Sequence, residues 1–257
     1  MPEQISQALV NLLRELARSS AARTEEGRFV IEGPHLLEEA LKHKAKLSLI
    51  AHTVASWHQH AQLILKAVNA GAIEYRLSAK QAERVSETEA PQGIFTLVDI
   101  PTPRQVKGEQ FVLVLDEVQD PGNVGTLIRT AAWFGVTTVV LGQGSADPFN
   151  PKVIRATQGA VFSTNLVRSK DVAKTVRELK QSNFTVVSTS LERNSDDLFS
   201  YSPKGPIAMI LGSEARGVRK ELLELSDAKL YIPKQGAGES LNVAVSGGIV
   251  MSHLTRQ

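Results

Sequence analysis

The chain of 257 residues contains no cysteine. That excludes disulfides, thiolate metal sites and any thiol nucleophile, and it fits a cytoplasmic location. No apolar run is long enough to cross a membrane. The start, "MPEQISQALVNLLREL", lacks a basic segment followed by an apolar one, so no secretory signal is expected. Neither sign of charge dominates: 29 Lys and Arg stand against 27 Asp and Glu, a net charge of +2. Residues 1–100 hold 11 basic and 12 acidic side chains with five of the six histidines, and residues 101–257 hold 18 and 15. There is no basic tail, so a nucleic-acid surface would have to be a local patch. Several signatures are missing too. There is no phosphate-binding G-x-x-x-x-G-K-[ST] and no G-x-S-x-G nucleophile elbow. "LGQGSAD" (141–147) lacks the third glycine and the clear helix of a dinucleotide fingerprint. His58 and His60 have no carboxylate at ligand spacing, so no metal site is expected.

What is present is an ordinary globular composition, 42% hydrophobic and 22% charged. No internal repeat or low-complexity tract interrupts it. The clearest seam is "DIPTPRQVKGEQ" (99–110), with two prolines, a glycine and polar residues between two apolar runs. It divides a domain over 1–103 from one over 108–257. In the first, apolar spacing predicts helices in "ISQALVNLLRELA", "PHLLEEALKH", "SWHQHAQLILKAVNAG" and "AKQAERVS". Strands are predicted in "RFVIEG", "LSLIAHT", "EYRLS" and "GIFTLVDI". In the second, "FVLVLDEV", "TTVVLG", "FTVVSTS", "PIAMILGSE" and "AKLYIP" read as strands. "NVGTLIRTAAWFG", "DVAKTVRELKQSN", "RKELLELS" and the segment after residue 240 read as helices. Val-, Ile- and Leu-rich strands alternating with helices argue an α/β fold with a parallel sheet covered on both faces. Ligands in such sheets sit at the C-terminal strand ends.

Three of those ends carry unusual residues. In "DEVQDPGNVGTLIRTAAWFG" (116–135), Pro121-Gly122 reads as a turn and Asn123 as the helix cap. Val124, Leu127, Ile128, Ala131 and Gly135 share one helix face and Arg129 falls off it. A plain capped helix with a surface arginine fits equally well. In "MILGSEARGV" (209–218), Gly212 would let a ligand approach the backbone, and Glu214 could accept hydrogen bonds in a cleft. The alternative is a turn with a solvated Glu–Arg pair. In "YIPKQGAGESLNVAV" (231–245), a glycine loop leads to Ser240, which caps the last helix itself or through a neighbour. A flexible connection is the alternative. The three ends meet only if their strands lie close together, and sequence does not give strand order.

Taken in order, these segments resemble the SpoU/TrmH family of RNA ribose 2′-O-methyltransferases, of the SPOUT class. Asn123, Gly125 and Arg129 match N-x-G-x-x-x-R; Gly212, Ser213, Glu214 and Gly217 match G-[ST]-E-x-x-G. Ile232 and Pro233, followed by Ser240, Leu241, Asn242 and Val243, match I-P…S-L-N-V. The likeness covers 110–252 and includes "NPKVIRATQGAVF" (150–162). More loosely, "ARTEEGRFVIEGPHLLEEAL" and "SETEAPQGIFTLV" resemble the substrate-binding domain of such enzymes, itself similar to small ribosomal RNA-binding proteins. One departure is Lys234, where many relatives have methionine.

The resemblance implies a deep C-terminal trefoil knot, although knots are rare in general. It also implies S-adenosylmethionine as methyl donor, with no metal, and a homodimer whose partner completes the site that Arg129 reaches. Backbone at Gly212, Ile232 and Leu241, with Thr189 beside them, would hold the donor. Asn123, Arg129, Glu214, Ser240 and Asn242 would serve the reaction. The family account gives Arg129 the proton-accepting role. Because arginine stays protonated, orienting the ribose and stabilising the developing alkoxide is the role expected here. The missing cysteine rules out the chemistry that methylates pyrimidine carbon-5. Large-subunit (23S) rRNA is the favoured target. A tRNA target, or a non-catalytic RNA-binding or ribosome assembly factor, is the alternative. Arg23 and Arg28, flanking "TEEG", are candidate RNA contacts, with two solvated arginines as the plain alternative. The last helix carries Gly247-Gly248 and is apolar nearly all round. Each mid-helix glycine costs about 1 kcal/mol against alanine, so close approach of another backbone, and a role in dimerisation, is expected there.

Overall fold

The computed structural model describes residues 2–106, 108–190, 192 and 195–256. Its contacts separate two units: one runs up to Thr102 and also takes in Phe149–Phe162, and the other comprises Pro103–Pro148 and the chain from Ser163 onward.

The first unit contains β1 (Glu3–Gln4), α1 (Gln7–Arg18), α2 (Ser20–Glu26), β2 (Arg28–Glu32), α3 (Pro34–Lys42) and β3 (Leu47–His52). It continues through α4 (Val54–Asn69), β4 (Ile73–Arg76), α5 (Ala79–Val85) and β5 (Ile94–Asp99). The helices begin where the sequence supplies oxygen caps. Ser6 accepts from Leu9 N–H at 3.3 Å, and Ser78 forms a reciprocal capping box with Gln81. The sheet order is β1-β4-β3-β5-β2. It is parallel on the β1 side of β3 and antiparallel from β3 to β2. Leu13 and Leu16 of α1 pack on Val30, Phe95 and Leu97. Phe29 meets Phe149 and Phe162 of the later segment at ring-centroid distances of 4.9 and 6.3 Å.

The second unit opens with β6 (Phe111–Asp116), α6 (Pro121–Trp133) and β7 (Thr138–Gly142). After α7 (Pro151–Thr157), which lies in the first unit's later segment, come β8 (Asn165–Ser169), α8 (Val172–Gln181) and β9 (Thr185–Thr189). The chain ends with β10 (Asp196–Asp197), β11 (Ile207–Gly212), α9 (Lys220–Leu225), β12 (Ala228–Tyr231) and α10 (Val243–Leu254). The sheet order is β10-β12-β9-β11-β6-β7-β8, and every pairing in it is parallel. Both faces are covered, as the apolar strands require. Val112, Val114, Val186 and Ile210 meet Val176 and Leu179 of α8 and Leu222 of α9 on one face. On the other, α10 packs on α6 and β11. From β6 the order runs outward to β7 and β8, and β11 lies on its opposite side. The switch point of the sheet therefore falls at the β11–β6 boundary, where open α/β sheets place their ligands.

Six elements differ from or add to the sequence reading. β8 was not expected; only Leu166 and Val167 of "NLVRS" are apolar, and it is an edge strand. The short α2, α7, β1 and β10 likewise carry too little periodicity to be read. α6 begins at Pro121 rather than after Asn123: Asp120 is the cap, accepting from Asn123 N–H at 2.7 Å, and Pro121 takes the first helical position. No described helix is long and apolar enough to cross a membrane.

Candidate active site

The register sets strand ends side by side. Asp116 of β6 lies opposite Gly212 of β11, β9 pairs along the other edge of β11, and Thr189 of β9 lies opposite Leu230 of β12. The three motif-bearing ends therefore flank a single stretch of sheet edge, with half-buried Thr189 among them.

Side chains then join the motifs. Asn242 caps α10: its Oδ1 accepts from the N–H groups of Ala244 and Val245 at 2.9 and 3.2 Å. That leaves its Nδ2 to donate to Asn123 Oδ1 at 2.9 Å. Asn123 must then present its own Nδ2 elsewhere, and it donates to Glu214 Oε1 at 2.8 Å. A carboxylate only accepts, so the chain of bonds has one direction, from the start of α10 to Glu214. Both amide orientations are fixed by their neighbours. Residues 91 and 119 positions apart in sequence are joined. Among the described residues Glu214 has its second oxygen unengaged.

Arg129 lies further along α6, exposed on the face away from the buried Val124, Leu127, Ile128 and Ala131. Its guanidinium has no hydrogen bond or ion pair among the described residues. Ser240 is exposed, Leu241 is 51% exposed and Ile232 is half-exposed. Around Gly236 and Gly238 the positions a side chain would occupy are open.

Gly212 has a part within the fold as well. A Cβ there would lie 2.1 Å from the carbonyl carbon of Gly217 and 2.2 Å from Val218 N. Its own loop, rather than a ligand, takes the side-chain space. Two further residues, not singled out in the sequence, hold that loop. Asp116, fully buried, receives Arg219 Nε at 2.8 Å and Arg219 N–H at 3.1 Å. The hydrogen bond to Asp116 raises the Arg219 guanidinium above the ordinary arginine value, against the desolvation that lowers it. An acidic residue closing a wholly apolar strand was the available signal.

Arg23 is not an RNA contact. It is 1% exposed and donates to the carbonyls of Leu16 and Ala17 at 2.5 and 3.3 Å, in the last turn of α1. A cation there satisfies helix-end carbonyls and the negative end of the helix dipole. Arg28 is partly exposed and pairs with Glu26. Gly247 is also explained within the chain: a Cβ would lie 2.5 Å from Leu127 Cδ2 and 2.8 Å from Leu211 Cδ1. The glycine therefore lets α10 approach α6 and β11. Gly248, with only Thr130 Cγ2 at 3.7 Å, faces outward.

Buried parallel strands, a switch point and polar groups converging on adjoining strand ends are the arrangement of a ligand site of the α/β class. Residues 110–252 match the SpoU rRNA Methylase family, and residues 8–96 match the MRM3-like substrate binding domain. A Bacillus subtilis protein, 23S rRNA (guanosine(2553)-2′-O)-methyltransferase RlmP, is 39% identical over 90% of this chain and 90% of its own length. A solved RNA methyltransferase of the TrmH family from Porphyromonas gingivalis superposes with a TM-score of 0.85 at 31% identity, covering 99% of this chain and 100% of that one. An AdoMet-bound rRNA methyltransferase from Sinorhizobium meliloti gives a TM-score of 0.87 at 27% identity, over 99% and 96%. The chain belongs to the SpoU rRNA methylase family.

Proposed function

We propose that this enzyme transfers the methyl group of S-adenosylmethionine to a ribose 2′-hydroxyl of large-subunit rRNA, acting as a homodimer in the cytoplasm. The observation that carries the reading is the Glu214–Asn123–Asn242 chain of hydrogen bonds, which joins the three motifs, with Arg129 exposed on the helix that carries Asn123. The likeness to the B. subtilis 23S rRNA enzyme supports the choice of RNA.

The bound donor supplies a methyl group already activated on a sulfonium sulfur, so no metal is required. The protein's own task is alignment, which can lower a barrier by several kcal/mol (roughly 7–11 at best). Backbone at Thr189, Gly212, Ile232 and Leu241 holds the donor at the strand ends, in a trefoil-knotted fold. Glu214, fixed by Asn123, keeps one oxygen for a ribose hydroxyl or for Arg129. Arg129 orients the ribose and stabilises the alkoxide as the proton leaves, and Ser240 adds a hydroxyl beside it. Arg28 remains a candidate RNA contact on the first unit.

A groove lined by Phe134, Phe199, Val245, Gly248 and Ile249 supports the dimer. Val245 is 52% and Phe199 58% exposed, an apolar surface that a second copy would cover. Val245→Asp is expected to sediment as a monomer with low activity.

The test of function is methyl transfer from labelled S-adenosylmethionine to rRNA and to tRNA from cells lacking the enzyme, followed by mapping of the methylated ribose. Label at one large-subunit ribose is expected. Label in tRNA alone would transfer the assignment to tRNA. Donor binding without label in either RNA would point to an assembly factor.

A further inference from the structure

We propose that Asp116 and Arg219 are positioning residues for the methyl transfer, a clasp that fixes the loop between β11 and α9 and so the backbone that receives the donor. This rests on the reading of the site given above.

The loop leaves the sheet at Gly212, whose Cα is registered opposite Asp116. It doubles back through a bridge between Ser213 and Gly217, with Gly217 N–H donating to the Ser213 carbonyl at 2.7 Å. Gly217 takes φ +69°, which a residue with a side chain rarely adopts. The chain then returns to β6. There Asp116 Oδ1 accepts both Arg219 Nε at 2.8 Å and a terminal guanidinium nitrogen at 2.7 Å, and Oδ2 accepts the Arg219 N–H at 3.1 Å. Asp116 thus holds the near end of the loop through sheet pairing and the far end through its carboxylate. Glu214 lies between these two points. A second tie, Arg216 to Glu117 at 2.7 Å, has its arginine 72% exposed and contributes little.

The buried carboxylate makes the clasp specific. Asp116 is 0% exposed, so without Arg219 it would be an uncompensated charge in the interior. Arginine offers a fixed fork, whereas lysine offers one mobile point charge and could not reproduce both contacts to Oδ1. Neither residue falls within the motif positions that carry the family resemblance.

The test compares wild type, Arg219→Lys, and the double variant Asp116→Leu, Arg219→Met, by melting temperature, calorimetric titration with S-adenosylmethionine and steady-state kinetics. Arg219→Lys is expected to raise the KM for the donor about tenfold, with the KM for RNA unchanged. The double variant leaves no buried charge and should melt near the wild type, yet keep the raised donor KM. The inference is overturned by a wild-type donor KM in both variants. It is equally overturned if melting temperature and donor KM recover together in the double variant, or if both variants lose the fold, since the pair then serves stability alone. A wild type that binds no donor would remove the functional reading and this inference with it.

Discussion

Arg23 in the first unit and Arg129 in the second carry the same guanidinium in opposite circumstances. Arg23 is buried and closes the end of α1, whereas Arg129 stands exposed on α6. The contrast extends to the other polar groups. In the first unit His52, 1% exposed, meets Glu74 at 2.9 Å, and Glu32 accepts from Ser86 Oγ and Gln92 N–H. These groups serve the fold. In the second unit Asn123, Glu214 and Asn242 are joined to one another, with Glu214 and Asn242 exposed. A charged residue near a motif is therefore no guide to function until its partners are known.

The sharpest way to break this comparison is Arg129→Ala. It should lower turnover about 10²–10³-fold with an unchanged melting temperature; equal loss of stability and activity would place Arg129 with Arg23. The converse is Arg23→Ala, expected to cost about 2–4 kcal/mol in urea denaturation while the folded fraction keeps its KM for RNA. A raised KM for RNA there would return Arg23 to the RNA surface. Asn242→Asp separates the two roles within one residue. Aspartate still caps α10, so stability should stay within about 0.5 kcal/mol. It offers no donor to Asn123, and activity should fall at least about tenfold. The smallest effect is on Asp99. Its hydrogen bond with Lys46 holds its carboxyl below the ordinary aspartate value, with Ser48 adding to this against desolvation. A depressed value stabilises the fold above the unfolded-state pKa of about 3.9 and loses that contribution as pH falls through the folded value. Asp99→Asn should therefore flatten acid-side stability, by no more than about 0.5 kcal/mol because Lys46 is 83% exposed.

Much of the architecture was legible from periodicity. The long strands and helices fall where apolar spacing puts them, because burial on one or both sheet faces leaves a direct trace in sequence. Short edge elements such as β8 bury little and leave little trace. Asn123 was recognised as a motif residue, yet its role as cap belongs to Asp120, since a proline at the first helical position starts the helix earlier. At Gly212 and Gly247 the sequence suggests close approach by a ligand and by another backbone; the structure sets the chain's own backbone against the first and the side chains of Leu127 and Leu211 against the second. Strand order, and with it the meeting of the three motifs, has no local signature. It follows from the place of β11 between β9 and β6, a pairing of strands far apart in sequence.

The one-way chain of amides bears on the order of synthesis. Asn123 and Glu214 are translated before Asn242; the Glu214 carboxylate, which only accepts, already directs the Asn123 amide, and Asn242 joins the pair once it is anchored on the first N–H groups of α10. A nascent chain can hold most of its sheet and still lack an aligned centre. The chain of hydrogen bonds is therefore complete only when the last of the three segments to emerge has folded onto the other two.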